Sequence, residues 1–189
     1  AGVAFATGYV ASTGAFQTSY TPQPFTTIDP IANEKAFPDI TITVFNAAGN
    51  NMLYATYLGG NMSEHPHSII VNSNQELIIT GTTGGGSFPL KNAIQSTFGG
   101  GSKRNPGCGY TFYNGSDLFI TRFNPTGTGI LSSTFLGGSG NDGINEIIMN
   151  YGDWARGEVI LDPNDNIYIS SSTNSTNFPS TNCSSCSKA

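Results

Sequence analysis

Apolar and polar residues alternate along short stretches of this chain, and turn-forming residues separate the stretches. Thr41, Thr43 and Phe45, for example, alternate with Ile42 and Val44, which is the period of two that a half-buried β-strand shows. Stretches with a helical period are nearly absent. The pattern therefore predicts an all-β fold with nine strands, at about 3–9, 40–46, 52–58, 67–71, 76–81, 117–123, 129–136, 157–161 and 166–171.

One strand–turn–strand stretch occurs twice. Residues 43–60 and 121–138 are identical at nine of eighteen positions without a gap, and the two copies stand 78 positions apart. In each copy an Asn opens the turn, and Gly49 or Gly127 can take the positive φ that a side chain resists. The repeat therefore predicts two equivalent β-hairpins.

A second hairpin pattern, at 69–81, recurs at 159–170. The two hairpins together give four antiparallel strands per unit, which is the composition of a β-propeller blade. We therefore expect a propeller segment of about two blades with partial neighbours, an incomplete ring. Its open sheet edges need cover from remaining blades of the same chain or from another chain. The expected divisions are a partial blade with a connecting loop at 1–60, a complete blade with an insert (99–116) at 61–138, an insert and the start of the next blade at 139–180, and a cysteine-containing tail at 181–189.

Several motifs of the two hairpins resemble a known repeat. These motifs are Tyr54–Gly60, Ser132–Asp142, Asn166–Ser170 and Asn177–Pro179. They are similar to the signatures of the SBBP repeat, the bacterial seven-bladed β-propeller repeat, over most of the chain outside the two inserts and the tail. The resemblance implies a secreted or cell-surface bacterial protein, a class that includes Bacteroidetes cargo of the type 9 secretion system. Ser170-Ser171 departs from the Thr-Gly of the repeat, and 62–66 departs from its Gly/Asp-rich link.

Composition and charge argue against several classes of binding partner. The chain has 24 Gly and 10 Pro among 189 residues, and only 10% of its residues are charged, so it turns often. A formal net charge of −5 with seven basic residues gives no basic patch for nucleic acid or an anionic membrane. No apolar run approaches the roughly 18 residues of a membrane span. Residues 1–7 lack the regions of an export signal, and we expect any such signal to have been removed or to lie outside this chain.

Aromatic residues occur in two loop inserts, at 99–116 and 139–156, with Asn and Gly around them. Insertions in repeat proteins lie on one face, often the binding face. Exposed aromatic rings there suit contact with a protein or a glycan, although the same rings can pack the inserts against the blades. The ligand-contact candidates are Tyr110, Phe112, Tyr113, Tyr151 and Trp154. The leading hypothesis is a non-catalytic module of the bacterial cell surface that acts as scaffold, adhesin or secreted cargo.

A carbohydrate-active enzyme of the glycoside hydrolase type is the alternative. Glu146, Asp153 and Glu158 can converge in three dimensions as the carboxylates that such an enzyme needs. Nothing local favours this, so no catalytic residue is assigned, and most catalytic residues would lie outside this segment. A third interpretation makes the segment a spacer between other domains.

We expect no cofactor, with calcium as the alternative. Asp162, Asn164 and Asn166 place oxygens at alternate positions, as a calcium loop does, but a β-turn within a hairpin explains the same residues. His65 and His67 would share one face of a strand, as some metal sites need. We expect these histidines instead to lie in a loop without metal.

Three cysteines, Cys108, Cys183 and Cys186, leave one unpaired if a single disulfide forms. We expect either a disulfide within the tail or one from a tail cysteine to the loop of Cys108. A structural zinc site would need four ligands, and no second pair of ligands stands near Cys183 and Cys186.

Overall fold

The structure, a computed structural model, describes residues 2–4, 11–21, 37–106, 111–144 and 157–180. Within these residues the chain forms nine β-strands and no helix. Every strand pair is antiparallel. The predicted all-β fold is therefore confirmed.

The strands form three sheets, and strands that follow one another in the chain are neighbours within each sheet. Sheet 1 contains β1 (Gly2–Ala4), β2 (Asp39–Phe45) and β3 (Met52–Leu58). Sheet 2 contains β4 (Glu64–Val71), β5 (Leu77–Thr83), β6 (Asp117–Phe123) and β7 (Ile130–Leu136). Sheet 3 contains β8 (Glu158–Leu161) and β9 (Ile167–Ser170). These sheets do not close into a ring within the described residues.

The predicted strands agree with these bounds to within two residues at each end, with two exceptions. The first predicted strand, at 3–9, is present as Gly2–Ala4, and residues 5–9 lie outside the described residues. The second exception is the start of β4.

Strand β4 begins three residues before the predicted start at 67, and its first residue, Glu64, pairs with Thr83. The register of β4 shifts directly after Pro66, which lets the strand pass a residue that has no N–H to donate. The expectation of loop histidines is therefore wrong, because His65 and His67 both lie within β4.

The two matching hairpins have the predicted turns. The side-chain Oδ1 of Asn46 accepts hydrogen bonds from the backbone N–H groups of Asn50 and Asn51 at 3.1 and 3.2 Å, and Gly49 has a φ of +70°. In the second copy Asn124 accepts in the same way, and Gly127 has a φ of +69°. Both turns therefore depend on the two residue types that the sequence repeats.

The hydrophobic core lies between sheets 1 and 2. Aromatic rings join it at several points: Phe88 lies 4.8 Å from Phe119 between ring centroids, and Phe16 meets Phe123 edge-on at 5.6 Å. Because one continuous core links the two sheets, the equivalent hairpins of the repeat pack side by side. The buried core residues are Ile40, Ile42, Tyr54, Leu58, Leu77, Ile79, Phe88, Phe119, Phe123, Ile130 and Phe135.

Candidate functional site

The insert at 99–116 folds back on itself. The backbones of Arg104 and Phe112 exchange two N–H···O hydrogen bonds of 2.9 and 2.8 Å, and the Gly101 N–H donates to the Asn114 carbonyl at 2.9 Å. Both described arms of the insert are therefore held together by backbone pairing, and they form an ordered surface feature of sheet 2.

Phe112 anchors this insert. Its side chain is only 1% exposed, and it packs with Ile144 from the second insert in a small core of its own. Beside it, the hydroxyl of Ser63 donates to the Thr111 carbonyl at 2.9 Å. The ring of Phe112 therefore packs the insert, which is one of the two roles that the sequence left open, and it offers no surface to a ligand.

Tyr113, the next residue, is half-buried and lies at the surface of the insert. Its ring is 5.7 Å from the ring of Phe37, and the Lys103 ammonium lies over it at 4.7 Å from the ring centroid. Such a cation–π contact helps to hold the ring in place and sets a positive charge against it. Tyr113 therefore remains a ligand-contact candidate, with Lys103 beside it.

The two inserts meet. The backbone N–H of Asp142 donates to the Ser116 carbonyl at 2.7 Å, and the Ser116 hydroxyl donates to the Asp142 carbonyl at 3.0 Å. The side-chain amide of Asn141 donates to the Ser102 hydroxyl at 3.3 Å. The beginning of the second insert is thus joined to both ends of the first, and the two form one continuous surface.

Several predicted site residues cannot be placed in this surface. Glu158 is exposed at the start of β8 and accepts a hydrogen bond from the Ser68 hydroxyl at 3.3 Å. The roles predicted for the others stay predictions, because they lie outside the described residues. These are Cys108, Tyr110, Glu146, Tyr151, Asp153, Trp154, Cys183 and Cys186.

A pair of buried carboxylates lies at the end of each repeated hairpin, and sequence analysis missed both pairs. Asp39 and Glu64 form the first pair, and Asp117 and Asp142 form the second; all four residues are fully buried. Each member of the second pair stands 78 positions after its counterpart, so the repeat extends well beyond the eighteen matched residues. Comparison of acidic positions at this spacing would have found them.

Backbone N–H groups surround the carboxylates. In the first pair, Glu64 Oε2 accepts from the Gly60 N–H at 3.1 Å and Asp39 Oδ2 accepts from the Thr21 N–H at 3.1 Å.

In the second pair, Asp142 Oδ2 accepts from the Gly138 N–H at 2.8 Å, and Asp117 accepts from the N–H groups of Gly99 and Gly100 at 2.8 and 2.9 Å. The glycine-rich start of the insert is therefore bound to the carboxylate that opens β6.

A glutamine links each pair to its hairpin. Gln17 Nε2 donates to Asp39 at 3.1 Å, and its Oε1 accepts from the Gly59 N–H at 3.1 Å. Gln95 repeats this arrangement in the second unit, where its Oε1 accepts from the Gly137 N–H at 3.1 Å. The connecting segments that carry the two glutamines are thus bound to their sheets in the same way.

Burial raises the pKa of three of these carboxyl groups, those of Asp39, Glu64 and Asp117. It raises the pKa of Asp39 to about 6 against the hydrogen bonds from Thr21 and Gln17, which lower it. Burial also raises the pKa of Glu64 well above its usual range, and the charge of Asp39 adds to this rise. In the second pair, burial and, to a lesser extent, Asp142 raise the pKa of Asp117 to about 6. Burial therefore favours a bound proton on Asp39, Glu64 and Asp117, whereas the N–H and O–H donors around these carboxylates oppose it.

The residues predicted as a calcium alternative form a hairpin turn. Asp162 Oδ1 accepts from the N–H groups of Asn164 and Asn166, both at 2.9 Å, and Oδ2 accepts from the Asn166 amide at 2.7 Å. These hydrogen bonds, first among them that of the Asn166 side chain, lower the pKa of Asp162. Asn72 closes the equivalent turn between β4 and β5, where its Oδ1 accepts from the Asn74 N–H at 3.1 Å. The amide of Asn72 thus closes its turn in the way that the carboxylate of Asp162 does. Calcium binding at Asp162 stays a prediction.

Burial lowers the pKa of both histidines in β4. The rings of His65 and His67 lie 5.8 Å apart between centroids, and His67 Nε2 is 2.8 Å from the Thr82 hydroxyl. Burial, and next the charge of His65, lower the pKa of His67 to about 3. Over the described part of the chain, no three His, Cys, Asp or Glu side chains group in a way that could hold a metal ion.

Fold and site geometry define this chain as an all-β protein of antiparallel sheets with a surface built from two loop inserts. Comparison with known proteins finds no matching family, no matching curated protein and no matching solved structure. The resemblance to the SBBP repeat therefore stays a prediction. Among the described residues there is no helix of the length and apolar character needed to cross a membrane.

Proposed function

We propose that this chain is a segment of a β-propeller with a non-catalytic role at the bacterial cell surface. It acts as scaffold, adhesin or secreted cargo, and it contacts a protein or glycan through the surface that the two inserts form. Secretion, including export by a type 9 system, follows from the resemblance to the SBBP repeat.

The repeated sheet supports the propeller. Sheet 2 has four antiparallel strands in chain order, as a propeller blade has, and sheets 1 and 3 contain the last three and the first two strands of the same pattern. Sheets 1 and 2 also share one core, as adjacent blades do. Remaining blades of the same chain, or another chain, would cover the outer faces of sheets 1 and 3.

The joined inserts carry the functional proposal. Hydrogen bonds from Asn141 to Ser102 and between Asp142 and Ser116 hold both inserts in one surface. That surface presents Tyr113 and Lys103, an aromatic ring with a cation over one of its faces. Rigid aromatic rings with hydrogen-bonding neighbours are suited to sugar rings and to protein hot spots.

A binding screen with matched variants tests this function. The chain is applied to an array of bacterial and mammalian oligosaccharides and to immobilised extracellular glycoproteins, with and without enzymatic deglycosylation. We expect saturable binding that Tyr113→Ala weakens at least about tenfold, since a hot-spot aromatic contributes about 1.4 kcal/mol or more. Tyr168→Ala removes an exposed tyrosine outside the inserts and should leave binding unchanged.

Three results would contradict the proposal. The first is that the wild-type chain binds none of these surfaces. The second is that Tyr113→Ala binds as tightly as the wild type and the Tyr168→Ala control. Release of sugar products from the same oligosaccharides, with loss of turnover on replacement of Glu146, Asp153 and Glu158 by their amides, would instead establish the enzyme.

A further inference from the structure

The first buried acid pair lies where two sheets meet. Asp39 is the first residue of β2 in sheet 1, and Glu64 is the first residue of β4 in sheet 2. The backbone N–H of Glu64 donates to the Pro38 carbonyl at 2.9 Å, so the two strands begin side by side. Both acidic side chains are fully buried. The pair therefore spans the joint between sheets 1 and 2.

One oxygen of each carboxyl group faces the other across Gly59. Asp39 Oδ1 and Glu64 Oε2 are the two polar atoms nearest to the place that a β-carbon of Gly59 would take. Asp39 Oδ1 is buried and has no hydrogen-bond partner within the described part of the chain. A buried oxygen without a donor is costly, and two carboxylates this close repel each other. A proton held by the pair reduces both costs.

The groups around the pair supply no balancing positive charge. Its hydrogen-bond donors are neutral: the Gln17 amide, the Thr21 N–H and hydroxyl, the Gly60 N–H and the Thr83 hydroxyl. Its titratable neighbours are Tyr20 and Tyr57, and burial and next the charge of Asp39 raise the pKa of both. Burial also raises the pKa of Asp39 and of Glu64, which agrees with a pair that still holds a proton at neutral pH.

The insert at 99–116 touches both sides of this joint. Phe37, two residues before the first carboxylate, lies 5.7 Å from the Tyr113 ring between centroids. Ser63, directly before the second carboxylate, donates from its hydroxyl to the Thr111 carbonyl at 2.9 Å. Tyr113 belongs to sheet 2 and Phe37 to the start of sheet 1, so their contact depends on how closely the two sheets are joined.

We propose that Asp39 and Glu64 share one proton, which joins sheet 1 to sheet 2 and keeps Phe37 against Tyr113. Loss of this proton at alkaline pH leaves two buried negative charges that face each other, and their repulsion separates the starts of β2 and β4. The surface that the two inserts form is therefore ordered from acidic to neutral pH and loosens as the pH rises further. This regulation rests on the proposed function, because it acts on the surface that contacts the ligand.

Infrared spectroscopy tests the shared proton directly. At neutral pH the carbonyl stretch of protonated carboxyl groups should be stronger in the wild-type chain than in Glu64→Gln, which lacks the shared proton. Glu158→Gln removes an exposed carboxyl group and should leave this signal unchanged. Equal signals from the wild type and Glu64→Gln would overturn the proposal.

Amide hydrogen exchange tests the link to the insert. Two N–H groups report on it: that of residue 64, which donates to Pro38 across the joint, and that of Phe112, which donates to the Arg104 carbonyl at 2.8 Å. The Asn124 N–H, in the turn between β6 and β7, is the internal reference. Relative to it, protection of both groups should fall at least about tenfold between about pH 7 and about pH 9, because loss of one linked proton changes an equilibrium about tenfold per pH unit.

Two variants separate the joint from general effects of pH. In Glu64→Gln the side-chain N–H can donate to Asp39 and is not lost at these pH values, so protection should stay constant. Asp142→Asn makes the corresponding change 78 positions later and should keep the wild-type pH response at residue 64. Circular dichroism and thermal unfolding show whether each variant is folded before exchange is measured.

Three exchange results would overturn the joint. Protection in the wild type stays constant with pH, or it falls equally in the wild type and in Glu64→Gln. The third is a rise in protection on addition of calcium that a chelator reverses, since a cation would then occupy the pair. Constant protection in a chain that still binds glycans through Tyr113 would remove the joint and leave the proposed function intact. A pH-dependent joint in a chain that binds no glycan or glycoprotein would do the reverse.

Discussion

The carboxylates of Asp39 and Glu64 lie against Gly59 from two sides. A β-carbon at Gly59 would stand 2.4 Å from Asp39 Oδ1 and 2.8 Å from Glu64 Oε2. Gly137 stands in the same relation to Asp117 and Asp142 in the second unit. The glycine that ends each hairpin therefore leaves the space in which two buried acidic groups approach each other.

Replacement of Gly59 by alanine should destabilise the fold by about 2 kcal/mol or more, because the new methyl group cannot enter without displacing both carboxylates. The free energy of unfolding, from urea titration, measures the effect. Gly129→Ala is the matched control, since the nearest atom to its β-carbon is 3.9 Å away. Equal stability of the two variants would contradict the packing described at Gly59.

The paired carboxylates should make stability depend on pH. Burial raises the pKa of Asp39 and of Asp117 to about 6, above the value near 4 of an unfolded chain. The folded state thus holds these protons more tightly than the unfolded chain does. The stability that the protonated carboxyl groups contribute is therefore fully present below about pH 4 and is lost as the pH rises past about 6.

Glu64→Gln isolates this effect. The amide keeps an acceptor for the Gly60 N–H, removes one acidic group and can donate to Asp39. We expect the variant to exceed the wild type in stability at neutral pH and to match it at about pH 4, in urea titrations at both pH values. Glu158→Gln, at an exposed position, serves as control. A variant that loses stability equally at both pH values would show that the pair is not protonated in the folded state.

His67 should change the pH dependence of stability in the direction opposite to that of the buried carboxyl groups. Its folded-state pKa is lowered to about 3, so the stability that the neutral ring contributes is present above about pH 6.5 and is lost as the pH falls toward 3. His67→Gln keeps a side chain that can hydrogen-bond to the Thr82 hydroxyl, and it should lose less stability on acidification than the wild type. An NMR titration of the imidazole tests the assignment directly, and a midpoint near 6.5 would refute it.

Asp162 should behave as a turn residue. Because Asn72 closes the equivalent turn, Asp162→Asn should leave stability nearly unchanged, whereas Asp162→Ala should lower it through the lost hydrogen bonds. Thermal unfolding of the variants measures both effects. The same melts with calcium and with a chelator test the calcium alternative, since a rise that is specific to the wild type would support it.

Local pattern was enough to find the strands and turns of this protein. Alternation around Ile42 and Val44 requires only the period of a strand, and the turns at Gly49 and Gly127 require only a residue that tolerates positive φ. These features depend on residues a few positions apart, so the sequence contains all of the information. The start of β4 was misjudged because its extension past Pro66 depends on pairing with β5.

The site residues depended on distant partners. Nothing around Phe112 in the sequence separates a buried anchor from an exposed contact, and only the packing of Ile144 decided its role. An acidic residue such as Asp39 or Glu64 is ordinarily exposed, and its burial here follows from hydrogen bonds to glycines and to a segment far away in the chain. The sequence by itself determined the strands, the turns and the 78-residue repeat, because these follow from local geometry and composition. Tertiary structure alone decided which polar groups are buried together and which apolar positions stay uncovered, because both depend on how one sheet packs against the next.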